Sequence, residues 1–152
     1  MRISRVLAVI AVSLCLGAAG TALTSCAADP GPTVVLKTAD SGAGTVVVDA
    51  DGRAVYLYDA DEKGTDTSSC TGSCQAAWPA VTTTSTSPEG KGITGRIGEI
   101  SAGDGTHQVT LDGWPLYYFD GDTVPGTIKG QGIGGVWWLL NPDGQKVTDI
   151  GR

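Results

Sequence analysis

The residues best equipped for chemistry are Cys70 and Cys74, four apart in the run C-T-G-S-C-Q-A-A-W-P that continues to Trp78 and Pro79. Thiols at this spacing bind copper, exchange with other disulfides, or close on each other as a structural bridge. Copper sites of this kind also recruit imidazole or thioether, and the chain offers one histidine, His107, and one methionine, Met1. The expectation is a structural disulfide, which needs Cys70 just before or in the first turn of a helix. Redox exchange or copper handling through the same pair is the alternative, and two free thiols the third reading.

Carboxylates cluster just upstream, at Asp59, Asp61, Glu62 and Asp66. The run D-A-D-E-K-G echoes the start of an EF-hand loop, but Lys63 holds its fifth position and Cys70 stands where the bidentate Glu belongs. An EF-hand is excluded. A looser oxygen site for calcium stays open beside the plainer reading of a solvated turn whose Asp side chains bond nearby backbone N–H groups. A metal site would have to be built from Cys70, Cys74, Asp59 and Asp61; none is expected, nor any other cofactor. His107 has no G-x-S-x-G or H-E-x-x-H around it, and C-x-x-C-H is absent. It is expected as a surface or edge residue of a strand, and the protein is expected not to be an enzyme.

The elements that position these residues are mostly strands. Val34–Lys37 starts the pattern, and a Gly/Ser break follows at Ser41–Gly44. Asp-Gly pairs at Asp51, Asp104, Asp112 and Asp143 each lie between β-branched or aromatic runs, the strongest short-range hairpin signal. The one helical segment is predicted around Cys70, Cys74 and Trp78, whose spacing puts them on one face of two turns, with Gly72-Ser73 at its start and Pro79 at its end. The run Thr82–Gly92 lacks periodicity and reads as a mobile connection. Some eight short strands joined by tight turns predict an all-β domain, mainly antiparallel: a meander, a sandwich or a partly open barrel.

The chain also repeats itself. Tyr56, Tyr58 and Asp61 recur, at an offset of 61, as Tyr117, Phe119 and Asp122, and Trp137-Trp138 falls beside the position of Trp78. Cys70 falls on Gln131 and Cys74 on Gly135, so thiol chemistry belongs to the first copy alone. The copies span about 44–81 and 96–144 and imply a pseudo-duplicated single domain. Strand alternation places Tyr56 and Tyr58 on one face and Val55 and Leu57 on the other. In the second copy Tyr117 and Phe119 take the first face, and Trp114, Leu116 and Tyr118 the second. Both faces are apolar, which predicts central strands with the rings in the core. An exposed aromatic platform for a glycan, quinone or partner is the alternative.

The first residues give an address. Arg2 and Arg5 precede an uncharged stretch, Val6–Ala22, that ends in L-T-S-C at Cys26. Residues 1–25 read as a signal peptide, and L-T-S-C resembles the bacterial lipobox, in which the cysteine receives diacylglycerol and becomes the new N-terminus. Residues 26–33 then form a lipidated tether and 34–152 the domain. Past the leader, eight basic residues face sixteen acidic ones, a formal charge of −8 that argues against nucleic acid as a partner.

Tyr56-x-Tyr58-x-x-Asp61 and Tyr117-x-Phe119-x-x-Asp122, with C-x-x-x-C-x-x-x-W-P and D-G-W-P-L-Y-Y-F, resemble the bacterial secreted-repeat lipoproteins, a family with a Y-x-(F/W/Y)-x-x-D motif. That family has no settled activity, so the resemblance implies a duplicated extracytoplasmic β domain and no chemistry. The expected protein is a non-catalytic binding or envelope-interaction module. Its acyl chains hold it on the outer face of the cell membrane, and its partner is an envelope protein or a small molecule.

Overall fold

A computed structural model of the chain describes residues 33–103 and 105–149. The expected leader and Cys26 lie outside the described residues. Val46, Val47 and Val48 are all buried in β2 (Gly44–Asp49), which forms a hairpin with β1 (Thr33–Ser41). The corresponding pair in the second copy is β6 (Ile97–Gly103) and β7 (Thr106–Leu111). Two-residue turns suit such hairpins when both central residues take positive φ. Asp112 (φ 49°) and Gly113 (φ 83°) meet that demand where β7 turns into β8 (Trp114–Pro115).

The architecture is mostly strands in several antiparallel sheets with one short helix, and no sheet closes into a barrel. Its centre is a ribbon of four backbone segments. Tyr56 in β3 (Tyr56–Tyr58) pairs on one side with Leu139 in β9 (Trp137–Leu139). On its other side it exchanges both backbone hydrogen bonds with Tyr117, at 2.8 and 2.9 Å. Tyr117 pairs in turn with Ala80. The end of each copy therefore lies beside the motif strand of the other, and an approximate two-fold axis runs between Tyr56 and Tyr117.

Because the ribbon is central, its alternating side chains feed two cores. Val55, Leu57 and Leu116 pack with Leu36, Val47, Val109 and Leu111 on one side. Tyr56, Tyr117, Trp78 and Trp137 pack with Val46, Val48 and Leu139 on the other. The face assignment drawn from alternation is the one found.

Four expectations need correction. The hairpin around Asp51-Gly52 shrinks to one bridge, Val48 to Ala54, because β3 is claimed by β9 and Tyr117 instead of β2. The segment read as a mobile connection contains β4 (Thr82–Thr83), paired with β7, and β5 (Pro88–Lys91), which adds to β1 in parallel. Backbone hydrogen bonding holds this Thr- and Ser-rich run without any apolar period. Of the two places expected for His107, surface or edge, the edge is overturned: β7 lies between β4 and β6, while the side chain stays partly exposed with Nδ1 2.7 Å from Glu99 Oε2. The helix α1 is only Ser73–Ala77, so Cys70 precedes it and cannot share its face with Cys74.

Candidate functional site

The motif residues meet across the two-fold axis. Tyr117 donates its hydroxyl proton to Asp61 Oδ2 at 2.7 Å, and Tyr56 donates to Asp122 Oδ2 at 2.5 Å. Each tyrosine therefore serves the aspartate of the other copy. The second oxygen of each carboxylate accepts a backbone N–H, from Ser69 at 2.6 Å and from Lys129 at 2.8 Å. All four side chains are buried, so each carboxylate is solvated jointly, by a phenol from the opposite half of the chain and by a backbone N–H from its own. Burial pushes both phenols well above their ordinary value of 10, and the facing carboxylate adds to the rise.

The rings repeat the symmetry. Trp78 and Trp137 stack at 3.8 Å and 2°. Phe119 packs on Trp78 at 4.6 Å, tilted by 34°, and Tyr58 stacks on Trp137 at 4.1 Å and 11°. Tyr56 meets Trp78 edge-on at 5.5 Å, and Tyr117 meets Trp137 edge-on at 5.3 Å. The order Phe119, Trp78, Trp137, Tyr58 makes one four-ring column with an edge-on ring beside each indole. Such pairs are worth about 0.5–1.5 kcal/mol each beyond the area they bury. Gly130 is small because it must be: a Cβ there would lie 2.7 Å from the Tyr56 ring. Of the remaining motif residues, Trp114 is half-buried against the other core.

Cys70 and Cys74 form a disulfide with Cα atoms 5.2 Å apart. Cys70 is fully buried, with Sγ 3.9 Å from the Trp78 carbonyl, so the bridge fixes the approach to α1 beneath the ring column. In the second copy Gln131 does this work by hydrogen bonds. Its side chain accepts from Leu139 N–H at 2.7 Å and donates to Val147 C=O at 2.5 Å. A bridge closing so short a loop adds less chain-entropy stabilisation than the roughly 3 kcal/mol of a 15-residue loop. Protein isolated without reductant is expected to resist thiol alkylation at Cys70 and Cys74 until a reductant is added. Two thiols alkylated at once would contradict the bridge.

The acidic cluster is split among separate partners. Asp61 turns inward to Tyr117, whereas Glu62 and Asp66 face solvent. Asp59 accepts Trp138 Nε1 at 2.8 Å and holds Lys146 Nζ at 2.9 Å from both oxygens. Among the described residues no three of His, Cys, Asp and Glu converge as metal ligands.

One hollow outside the core, of about 610 Å³, lies where the two copies meet, walled by Asp49, Asp51 and Arg53 of the first and by Tyr118, Asp120 and the segment Asp122–Pro125 of the second. Asp49 Oδ1 caps the Asp51-Gly52 turn by accepting the N–H groups of Asp51 and Arg53, and its Oδ2 accepts the Tyr118 hydroxyl at 3.0 Å. The Arg53 guanidinium lies 4.2 Å over the Tyr118 ring and donates from Nη2 to the Phe119 carbonyl at 3.1 Å. Its Nε is buried without a hydrogen-bond partner, and Arg53 joins none of the ion pairs among the described residues. No motif in the chain marks Arg53, Asp49 or Asp120 as site residues. The usable signal was that Asp120 repeats Asp59 at the offset of 61.

The family described as a secreted repeat of unknown function matches residues 37–82 and 98–141, once for each copy. No curated protein and no solved structure matches the chain. No helix among the described residues is long and apolar enough to cross a membrane.

Proposed function

The chain belongs to the family of secreted repeats of unknown function, and from that premise we propose a non-catalytic, extracytoplasmic binding module, held at the membrane by lipid on Cys26. One observation carries the binding reading. The motif tyrosines and their partner aspartates are spent on each other in the core, and the groups left facing outward line the open hollow at Arg53 and Tyr118. Its volume falls within the roughly 300–1,000 Å³ of small-molecule sites. The copper-handling alternative gains no comparable support, since the two sulfurs are bonded to each other.

The anchor and the hollow are tested separately. The native protein is expected in the detergent phase of a phase-partition assay, and Cys26→Ser is expected to move it to the aqueous phase. Partition of the substituted protein with membranes would sink the anchor. For the hollow, the soluble Cys26→Ser protein is screened by amide NMR against a mixed set of small acids, amines, amino acids and sugars. Saturable shifts confined to Asp49–Arg53 and Asp120–Val124 are expected for one class. Hits that map elsewhere, or none, would overturn the binding reading.

A further inference from the structure

The two copies hold the same aspartate in two different states. Asp59 and Asp120 occupy one motif position, and their backbones are fixed alike: Asp59 N–H donates to Val136 C=O at 2.8 Å, Asp120 N–H to Ala77 C=O at 2.9 Å. In the first copy the chain fills the carboxylate itself. Lys146 sets its ammonium on both oxygens, over the Trp138 ring at 5.6 Å, and the Trp138 indole donates to the same group. In the second copy Trp138 is replaced, next to the stacked indole, by Pro79, which has no side-chain donor, and among the described residues no lysine is paired with Asp120. Asp120 instead opens into the hollow that holds Arg53.

We propose that this hollow binds a free α-amino acid, with its ammonium on Asp120 and its carboxylate on Arg53. The inference rests on the binding reading above and names its ligand. Lys146 on Asp59 is the chain's own example of an ammonium in this seat. Arg53 supplies the opposite charge: of the five N–H donors of a guanidinium, one on Nη2 goes to the Phe119 carbonyl and Nε is buried, which leaves the other Nη donors for a ligand. Stacking on Tyr118 fixes its plane, which suits paired hydrogen bonds to a carboxylate. The surrounding Asp49 and Asp51 make the hollow acidic on balance, so a ligand of net negative charge, such as phosphate, is disfavoured. The open volume accommodates side chains of different sizes.

The test is calorimetry and amide NMR on the soluble Cys26→Ser protein with L-alanine, L-lysine, N-acetyl-L-alanine and L-alaninamide. The free amino acids are expected to bind, shifting amides at Asp51–Arg53 and Asp120–Thr123. Blocking the amine or the carboxylate is expected to weaken binding about tenfold or more, the scale of one charged hydrogen-bonded contact. Asp120→Asn, at an exposed position, is expected to leave the fold intact and lose the preference for free over acetylated amine. Arg53→Lys, which keeps the charge but not the fork, is expected to weaken binding of the carboxylate. Equal binding of blocked and free forms, or an Asp120→Asn protein that binds as before, overturns the proposal. Binding of another class in the hollow with no response to amino acids sinks this inference and leaves the binding reading standing. No binding by any class sinks both.

Discussion

Tyr117→Ala and Tyr56→Ala are each expected to leave the protein largely unfolded or poorly accumulated. Both rings are fully buried, and truncating a buried aromatic costs on the order of 3–5 kcal/mol. Here the loss is compounded. Without Tyr117, Asp61 keeps the Ser69 N–H but loses its phenol, and a buried carboxylate with an unfilled acceptor costs roughly 1–3 kcal/mol more. The edge-on contact with Trp137 and the backbone pairing with Tyr56 are weakened at the same place. Against a total stability of roughly 5–15 kcal/mol, one such change removes most of the margin. Tyr117→Phe keeps the ring and isolates the hydroxyl, so urea unfolding should rank the variants as wild type, Tyr117→Phe, Tyr117→Ala. A stable, folded Tyr117→Ala protein would mean that the motif is not structural. Because Tyr56 serves Asp122 in the same way, matched losses at the two sites would report the two-fold relation directly.

The second large effect is expected with alkali. Tyr56, Tyr117 and Tyr118 are all pushed up from the ordinary 10, in each case chiefly by burial. Carboxylates reinforce the rise: Asp122 for Tyr56, Asp61 for Tyr117 and Asp49 for Tyr118. A group whose folded pKa lies above its unfolded one contributes stability that is complete below the unfolded value and is lost as pH climbs past it. Above pH 10 the unfolded chain ionises these phenols while the folded chain keeps them protonated. Each tyrosine then removes up to about 1.4 kcal/mol per pH unit, so three acting together remove roughly 4 kcal/mol per unit. Urea midpoints should be flat in this respect up to about pH 9 and fall steeply between pH 10 and 12. Tyr118→Phe, at a half-buried position tolerant of the change, should shallow the slope by about a third. A midpoint that holds through pH 11 would count against the buried Tyr–Asp pairs.

Much of this was legible in residue types. Asp-Gly pairs between β-branched runs marked the β6–β7 and β7–β8 hairpins, since turn chemistry is local and acts before any tertiary contact. The repeat of Tyr56, Tyr58 and Asp61 as Tyr117, Phe119 and Asp122 implied two similar halves. Strand alternation then assigned their side chains to two faces, because the pleat has a period of two wherever the strand sits. The short spacing of Cys70 and Cys74 pointed to a local bridge for the same reason.

Partner choice was not legible. Nothing in Y-x-x-x-x-D says that each tyrosine serves the other copy's aspartate, because that depends on which strands lie side by side across the axis. The same competition took β3 away from β2, gave it to β9 and Tyr117, and reduced an expected hairpin to one bridge. It drew the apparently patternless Pro88–Lys91 into a sheet through backbone bonds that need no particular side chain. Asp59 and Asp120 are the plainest case. The sequence makes them equivalent, and only the arrival of Lys146 from 87 residues away fills one seat while the other stays open. Local chemistry determined the elements, the repeat and the two faces; long-range packing, which no neighbouring residue encodes, decided which carboxylates are buried against a phenol and which face the hollow.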